Sequence, residues 1–174
     1  LKVNQKNCTA LQTIRIFFNI EDRGILKKDD AVEACLRITA GLAVFFLKQG
    51  VRTACYGNGM DILRGEPVRI AAGAGSGQIQ QICRALARID TGRKTADFTA
   101  CFEEELLHIS SGTTTIFVSP NAYDDFLSLL GRYRKQDGEC LWFYPVSASD
   151  KQTPDFPPEW KNGIRLLQIE RTLE

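Results

Sequence analysis

The chain has 174 residues, of which 44% are hydrophobic, so it is long enough for one compact domain and too short for two ordinary ones. Its 22 basic and 21 acidic residues give a formal net charge of +1, which provides no overall bias towards nucleic acid or an anionic membrane. The longest strongly apolar stretch, residues 40–47, is well short of the roughly 20 residues that a spanning helix needs, so we expect a soluble piece.

The chain begins at Leu1 without a basic and apolar signal segment, and we expect it to be a fragment of a longer protein. Residues 1–12 are then a lead-in to a single domain that covers residues 1–174. The six cysteines lie far apart, without a C-x-x-C pair, and most of them fall in apolar patterns. This distribution is typical of buried, reduced thiols in a cytosolic compartment.

The first elements alternate between strand and helix. Residues 13–20 (TIRIFFNI) form a continuous apolar run, typical of a strand that is covered on both faces. Apolar residues then recur at helical spacing over residues 31–49, where Asp29 or Asp30 provides a cap and Gly50 a stop.

Residues 51–56 and 67–72 read as the next two strands, with turn chemistry in the Gly-Asn-Gly at 57–59. No helix fits between these two strands, so they should run antiparallel. The second of them should therefore lie at an edge of the sheet.

The second half of the chain continues the alternation. Its predicted elements are helices at 76–89 and 98–109, a strand at 113–119, a helix from Asn121 or Asp124 to about 135, and a strand at 141–146. Residues 147–174 begin as an irregular arm with three prolines, and residues 164–169 offer one more strand or a docking segment.

This order predicts an α/β fold: an open, mostly parallel, doubly wound sheet of Rossmann-like type, with an antiparallel edge strand and helices on both faces. In such sheets, ligands bind outside the carboxyl ends of the strands. The polar run Asn19, Glu21, Asp22 and Arg23 follows the first strand and should project there.

A glycine-rich segment, Gly73 to Gly77, precedes a predicted helix and raises phosphate binding as an alternative. The dinucleotide fingerprint would need a third glycine where Gln78 stands, and the lysine of a Walker A loop is missing. We interpret the segment as a loop in which Ser76 caps the helix. A nucleotide-binding enzyme that uses this loop is kept as the second alternative function.

Other catalytic arrangements have little support in the sequence. The single His108 falls late in a predicted helix beside apolar residues, which favours a helix-packing or surface role. No serine or cysteine has a recognisable nucleophile motif around it. We expect a protein that is not an enzyme.

The order of elements resembles the von Willebrand factor type A (vWA) fold. Its metal-ion-dependent adhesion site uses Asp-x-Ser-x-Ser after the first strand, a Thr from a second loop and an Asp from a third. The resemblance places these positions, in order, at Asn19, Glu21 and Arg23, then at Ser76 or Gly77, and then in the segment Ser119-Pro120-Asn121.

The segments LKVNQKN, IRIFFNIE and AVEACLRITAGLAVFFLKQGVRTACYGNG resemble the bacterial family called domain of unknown function fifty-eight. The resemblance covers nearly the whole chain. It implies a vWA-like domain that follows membrane-spanning segments and lies at the cytoplasmic face of the bacterial membrane. It also implies a protein partner, a MoxR-type AAA+ ATPase.

Departures from the adhesion-site pattern decide the expected chemistry, because Mg²⁺ prefers carboxylate and hydroxyl oxygens. Asn19 is neutral, Pro120 has no side-chain oxygen, and Arg23 is a cation. We therefore predict a vestigial metal site without a cofactor, in a non-catalytic adaptor or scaffold. The predicted partner-binding positions are Asn19, Glu21, Asp22, Arg23, Ser76, Ser119 and Asn121. The first alternative is a cation-dependent adhesion module that completes an atypical Mg²⁺ site with Glu21, Ser119 and water.

Overall fold

A computed structural model of the chain describes residues 12–21, 29–108, 110–136, 140–147 and 163–169. These residues form six strands and four helices. In chain order they are β1 (Thr13–Phe18), α1 (Asp29–Lys48), β2 (Arg52–Met60), β3 (Pro67–Gly73), α2 (Gly75–Ala87), α3 (Phe98–Leu107), β4 (Thr113–Val118), α4 (Asp124–Lys135), β5 (Cys140–Ser147) and β6 (Ile164–Ile169).

The strands form one sheet in the order β3-β2-β1-β4-β5-β6. Every neighbouring pair is parallel except β2 and β3, which are antiparallel. The predicted open, mostly parallel sheet with an antiparallel edge strand is confirmed. Residues 164–169 form a strand, which was one of the two alternatives predicted for them. This strand, β6, is the edge strand opposite β3.

Two helical layers cover the two faces of the sheet. Side chains alternate along a strand, so Ile16 and Phe18 of β1 point to one face while Phe17 points to the other. Helices α1 and α2 pack on the first face, and α3 and α4 cover the second with an aromatic core. Of the helices in the described parts of the chain, none combines the length and hydropathy that crossing a bilayer requires.

The Gly-Asn-Gly segment differs from the prediction, because β2 continues through it and the turn lies later, at residues 61–66. A Cβ atom on Gly57 would lie 2.0 Å from the Phe18 ring. One on Gly59 would lie 2.8 Å from Cγ2 of Ile89. These glycines make room for side chains that cross over the strand, which is why a turn prediction based on composition is wrong here.

Some predicted boundaries also move. Helix α2 begins at Gly75 after Ala74, without a side-chain cap, so the predicted Ser76 cap is wrong. His108 follows the end of α3 and is exposed. Cys35 and Cys55 are buried free thiols, and the free Cys83, Cys101 and Cys140 are half-buried. The other cysteine, Cys8, and residues 148–162 of the predicted arm lie outside the described residues.

The contact between Gly57 and Phe18 yields a stability prediction with a matched control. We expect Gly57→Ala to lower the free energy of unfolding by about 1–3 kcal/mol, because the added methyl group must displace the buried ring. Gly41→Ala, on the exposed side of α1 with open space around it, should instead raise stability by about 0.5–1 kcal/mol. Urea denaturation measures both changes, and equal stabilities for the two variants would contradict the packing account.

Candidate functional site: the carboxyl ends of the central strands

Two asparagines meet at the carboxyl end of β1, one following β1 and the other within β2. Phe17 pairs with Tyr56 in the register of these strands, so two residues further on Asn19 lies beside Asn58. Both side chains are buried, with exposed fractions of 1% and 0%. The Asn58 amide Nδ2 donates to Oδ1 of Asn19 at 2.8 Å.

The segment after β4 completes this arrangement. Asn19 Nδ2 donates to Oδ1 of Asn121 at 3.4 Å, and Asn121 Nδ2 donates to the Glu21 carbonyl at 2.5 Å. The Ser119 hydroxyl donates to the backbone carbonyl of Asn121 at 3.1 Å. We call Asn19, Asn58, Ser119 and Asn121 the amide cluster. Its four side chains are buried and uncharged. They hold the segments that follow β1 and β4 to each other and to β2.

The side-chain oxygens of Asn19 and Asn58 already accept hydrogen bonds from neighbouring N–H groups. Oδ1 of Asn19 also accepts from the Glu21 N–H at 3.0 Å, and Oδ1 of Asn58 accepts from the Ile20 N–H at 2.9 Å. Among the described residues, every buried side-chain nitrogen and oxygen has a hydrogen-bond partner. The same residues contain no group of three or more His, Cys, Asp or Glu side chains that could hold a metal ion. A cation at the cluster would have to displace amide N–H donors from the oxygens it needs.

The structure brings together only some of the predicted site residues. Asn19, Ser119 and Asn121 meet in the amide cluster, and Glu21 joins through its backbone. Ser76 lies at the opposite end of the strands, away from the amide cluster. Because β3 is antiparallel, the chain leaves it beside Thr53, near the amino end of β2. The predicted positions Asp22 and Arg23 lie outside the described residues.

Asn58 is the cluster member that sequence reasoning missed. Had 57–59 been read as strand, the alternation from Tyr56 would have placed Asn58 on the same face as Asn19. The loop beside it is the connector between α2 and α3, residues 88–97, since the Ala96 N–H donates to the Asn58 carbonyl at 3.1 Å. This connector takes the place that the sequence reasoning gave to Ser76.

An ordered turn between β2 and β3 lies at the same end of the sheet as the amide cluster. Asp61 is 3% exposed and accepts hydrogen bonds from Arg88, the shortest at 2.6 Å, and from the Leu63 N–H at 2.9 Å. The Ile62 N–H donates to the Arg88 carbonyl at 3.0 Å. With the backbone fixed in this way, the side chains of Ile62 and Leu63 remain 53% and 75% exposed. We call residues 61–66 the hairpin turn.

The charge at Asp61 depends on its partner. Hydrogen bonds from Arg88, more than any other influence, lower the pKa of the Asp61 carboxyl to about 2. The carboxylate therefore stays ionised through mildly acidic conditions, and the hairpin turn stays attached to the end of α2.

The glycine-rich loop at the opposite edge is filled from within. The buried Gln78 amide donates to the Thr53 carbonyl at 2.9 Å and to the Ala71 carbonyl at 2.8 Å. A Cβ atom on Gly73 would lie 2.4 Å from Oε1 of Gln78, so this glycine accommodates the glutamine side chain. The space against Gly73 is therefore occupied, whereas a Cβ atom on Gly75 or Gly77 would meet nothing within 4 Å.

Comparisons with known proteins give a likeness of fold. Neither the protein-family models nor the curated proteins include a match to this chain. Among solved structures, the chain is similar to von Willebrand factor type A from Catenulispora acidiphila, with a TM-score of 0.54 and 13% sequence identity. The match covers 91% of this chain and 38% of that one. It confirms the predicted vWA-like fold, and at this identity it shows the fold alone.

The Asp61–Arg88 pair yields a prediction about pH. Because the pKa of Asp61 is lower in the folded chain than its ordinary value of 3.8, its contribution to stability is present above that value and is lost as the pH falls towards about 2. Asp61→Asn should therefore be less stable than the parent chain at pH 7, and the gap should narrow below pH 4. Chemical denaturation across this range measures the gap, and a gap that does not change with pH would contradict the assignment.

Proposed function

We propose that this chain is a non-catalytic protein-interaction module that binds its partner at the carboxyl edge of the sheet. The observation that carries the proposal is the pair of large apolar side chains, Ile62 and Leu63, exposed on the hairpin turn. Two apolar side chains that lie next to each other on an ordered turn offer a partner apolar surface to cover. The vWA-like fold supports the proposal because its strand-end loops commonly serve in protein interaction.

The amide cluster supports the same function by a different route. It fixes the segments after β1 and β4 to β2 through neutral hydrogen bonds, so this end of the sheet is ordered before a partner arrives. A surface that is already ordered loses little conformational entropy on binding. Burial of the Leu63 side chain would then contribute about 1.5–3 kcal/mol of its hydrophobic free energy to the complex.

The family resemblance suggests the partner and the setting. We propose a MoxR-type AAA+ ATPase as the partner, with this domain acting as an adaptor or scaffold within a bacterial membrane-associated protein. The domain would then lie at the cytoplasmic face of the membrane. In this proposal the site at Asn19 is a vestige of a metal-binding position and takes no cofactor.

The two alternatives each meet an obstacle in the described contacts. A cation-dependent module would need the Ser119 hydroxyl, which donates to the Asn121 carbonyl and accepts from the Asn121 N–H at 3.3 Å. A nucleotide-binding enzyme would have to bind phosphate at Gly75 and Gly77 alone, because Gln78 packs against Gly73. Protein interaction requires neither arrangement to change.

The exposed leucine provides the first test of the proposed function. We expect Leu63→Ser to weaken capture of a purified MoxR-type ATPase at least tenfold, the equivalent of about 1.4 kcal/mol, because the apolar contact is lost. Stability should stay within about 0.5 kcal/mol of the parent, since the side chain is 75% exposed. Phe45→Ser, an exposed apolar residue on α1, is the matched control and should bind normally. Equal binding by all three chains would overturn the proposed surface.

A thermal melt separates this function from the cation-dependent alternative. A ligand at about 100 times its dissociation constant stabilises by roughly 2.7 kcal/mol, which would raise the midpoint of a domain of this size by about 5–10 °C. We expect no such rise when millimolar Mg²⁺ or Mn²⁺ is added to chelator-treated protein. A rise of that size which disappears in Glu21→Ala would show a working cation site and refute the vestigial one.

A further inference from the structure

The outer side of helix α1 carries apolar surface along its second half. The helix has no charged residue from Ile38 to Leu47, and its exposed positions in this stretch are Gly41 and Phe45. The Phe45 side chain is 57% exposed, whereas the neighbouring Phe46 packs against the core. A helix on the surface of a domain normally carries polar side chains on the side that faces water. This part of α1 therefore has the composition of a helix that is covered on both sides.

The other three helices do not share this feature. Each of them exposes a polar side chain near its middle: Gln81 in α2, Glu104 in α3 and Ser128 in α4. These side chains bind water, so the outer sides of α2, α3 and α4 need no further cover. The contrast singles out α1 as the helix with an apolar outer side.

Large and small side chains alternate along the outer side of α1. Ala34, Ile38, Gly41 and Phe45 follow one another at spacings of four, three and four residues, which places them in one stripe along the helix. We call these four residues the α1 stripe. A Cβ atom on Gly41 would have nothing within 4 Å, so the helix backbone is open to an approaching side chain between Ile38 and Phe45.

The α1 stripe is complementary to itself when two copies of the helix pack antiparallel. A twofold axis between Ile38 and Gly41 places Ile38 of each copy on Gly41 of the other, and Phe45 on Ala34. Every large side chain then meets a small one, so that ridges fit into grooves. A parallel pair would instead oppose Phe45 with Phe45 and Gly41 with Gly41, which leaves a gap at the glycines.

The charges at the two ends of α1 favour the same arrangement. Asp29 and Asp30 lie in the first turn and Lys48 in the last turn, and all three are exposed. Antiparallel packing places the last turn of one helix beside the first turn of the other, so opposite charges meet at both ends of the contact. Beside the stripe, Arg37 is paired with Glu33 of its own helix at 2.9 Å and adds no net charge.

We propose that two copies of this chain associate through α1, with the two helices antiparallel across a twofold axis. A twofold contact uses the same surface on both copies and closes as a dimer, without leaving a stripe open for a third copy. The proposal concerns a different surface from the hairpin turn and does not depend on the proposed function. If both hold, the dimer presents two hairpin turns to a partner.

Sedimentation velocity of the full 174-residue chain over a range of concentrations is the first test. We expect a monomer–dimer equilibrium with a dissociation constant on the order of 10 µM, because one helix from each copy provides a small interface. Phe45→Asp should raise this constant at least tenfold while circular dichroism stays that of the folded chain. Ser128→Asp, the same kind of change on the outer side of α4, should dimerise as the parent does.

Carbodiimide cross-linking tests the orientation of the two helices. This reagent joins an amine to a carboxylate in direct contact, and we expect it to join Lys48 to Asp29 or Asp30. Within one copy these groups lie at opposite ends of the 20-residue helix, about 27 Å apart, so the cross-link can form only between copies. It should appear by mass spectrometry in the dimer band and be lost in Phe45→Asp.

Three results would overturn the proposal: a chain that stays monomeric up to about 1 mM, a hundred times the expected constant, a dimer that Phe45→Asp leaves intact, or a dimer without the cross-link between the two ends of α1. A monomer that binds phosphatidylglycerol vesicles through Phe45 would also overturn it and assign the α1 stripe to a membrane surface. These failures are distinct from failure of the proposed function. If Leu63→Ser loses the ATPase while the parent chain is monomeric, the interaction module stands and the dimer proposal falls.

Discussion

The Phe18 ring lies across the backbone of Gly57, at a distance that leaves no space for a side chain there. This contact joins the two neighbouring strands in the register that pairs Phe17 with Tyr56, and a shift by one residue would bring a side chain against the ring. Because the register is fixed, Asn19 and Asn58 emerge on the same face at the end of the sheet. The position of the two asparagines therefore depends on the apolar contact between Phe18 and Gly57, the residues directly before them.

A buried amide is costly unless all its hydrogen bonds are made, and three of them side by side would be a weak point in an ordinary core. Here each amide binds a neighbouring strand end: Asn58 binds Asn19, Asn19 binds Asn121, and Asn121 binds the backbone at Glu21. The hydrogen bonds therefore replace the packing that a loop cannot provide. The strand ends gain order without any net charge, and this distinguishes them from an edge built on carboxylates.

Much of the fold follows from the sequence, because the buried strands and amphipathic helices carry strong apolar periodicity. The antiparallel edge was predictable from the short connection between residues 56 and 67. The site was less predictable. A glycine gives the same signal in sequence-based prediction whether it lies in a turn or beneath an aromatic ring. Residues 57–59 were therefore predicted to form a turn, and Asn58 was not recognised as a site residue. Ser76 was misplaced although β3 was predicted to be antiparallel, because the family pattern was aligned by loop order alone. The direction of β3 places the loop that follows it at the amino end of β2, away from Asn19.

The hairpin turn and the end of α2 belong to one structural unit, because Arg88 follows α2 and binds the Asp61 side chain, while its carbonyl accepts from the Ile62 N–H. These two contacts fix the backbone that carries the exposed Leu63. If the partner covers Leu63, the Asp61–Arg88 pair contributes to recognition without touching the partner, because it orders the turn before binding. Loss of the pair would then weaken binding even though neither residue lies in the contact.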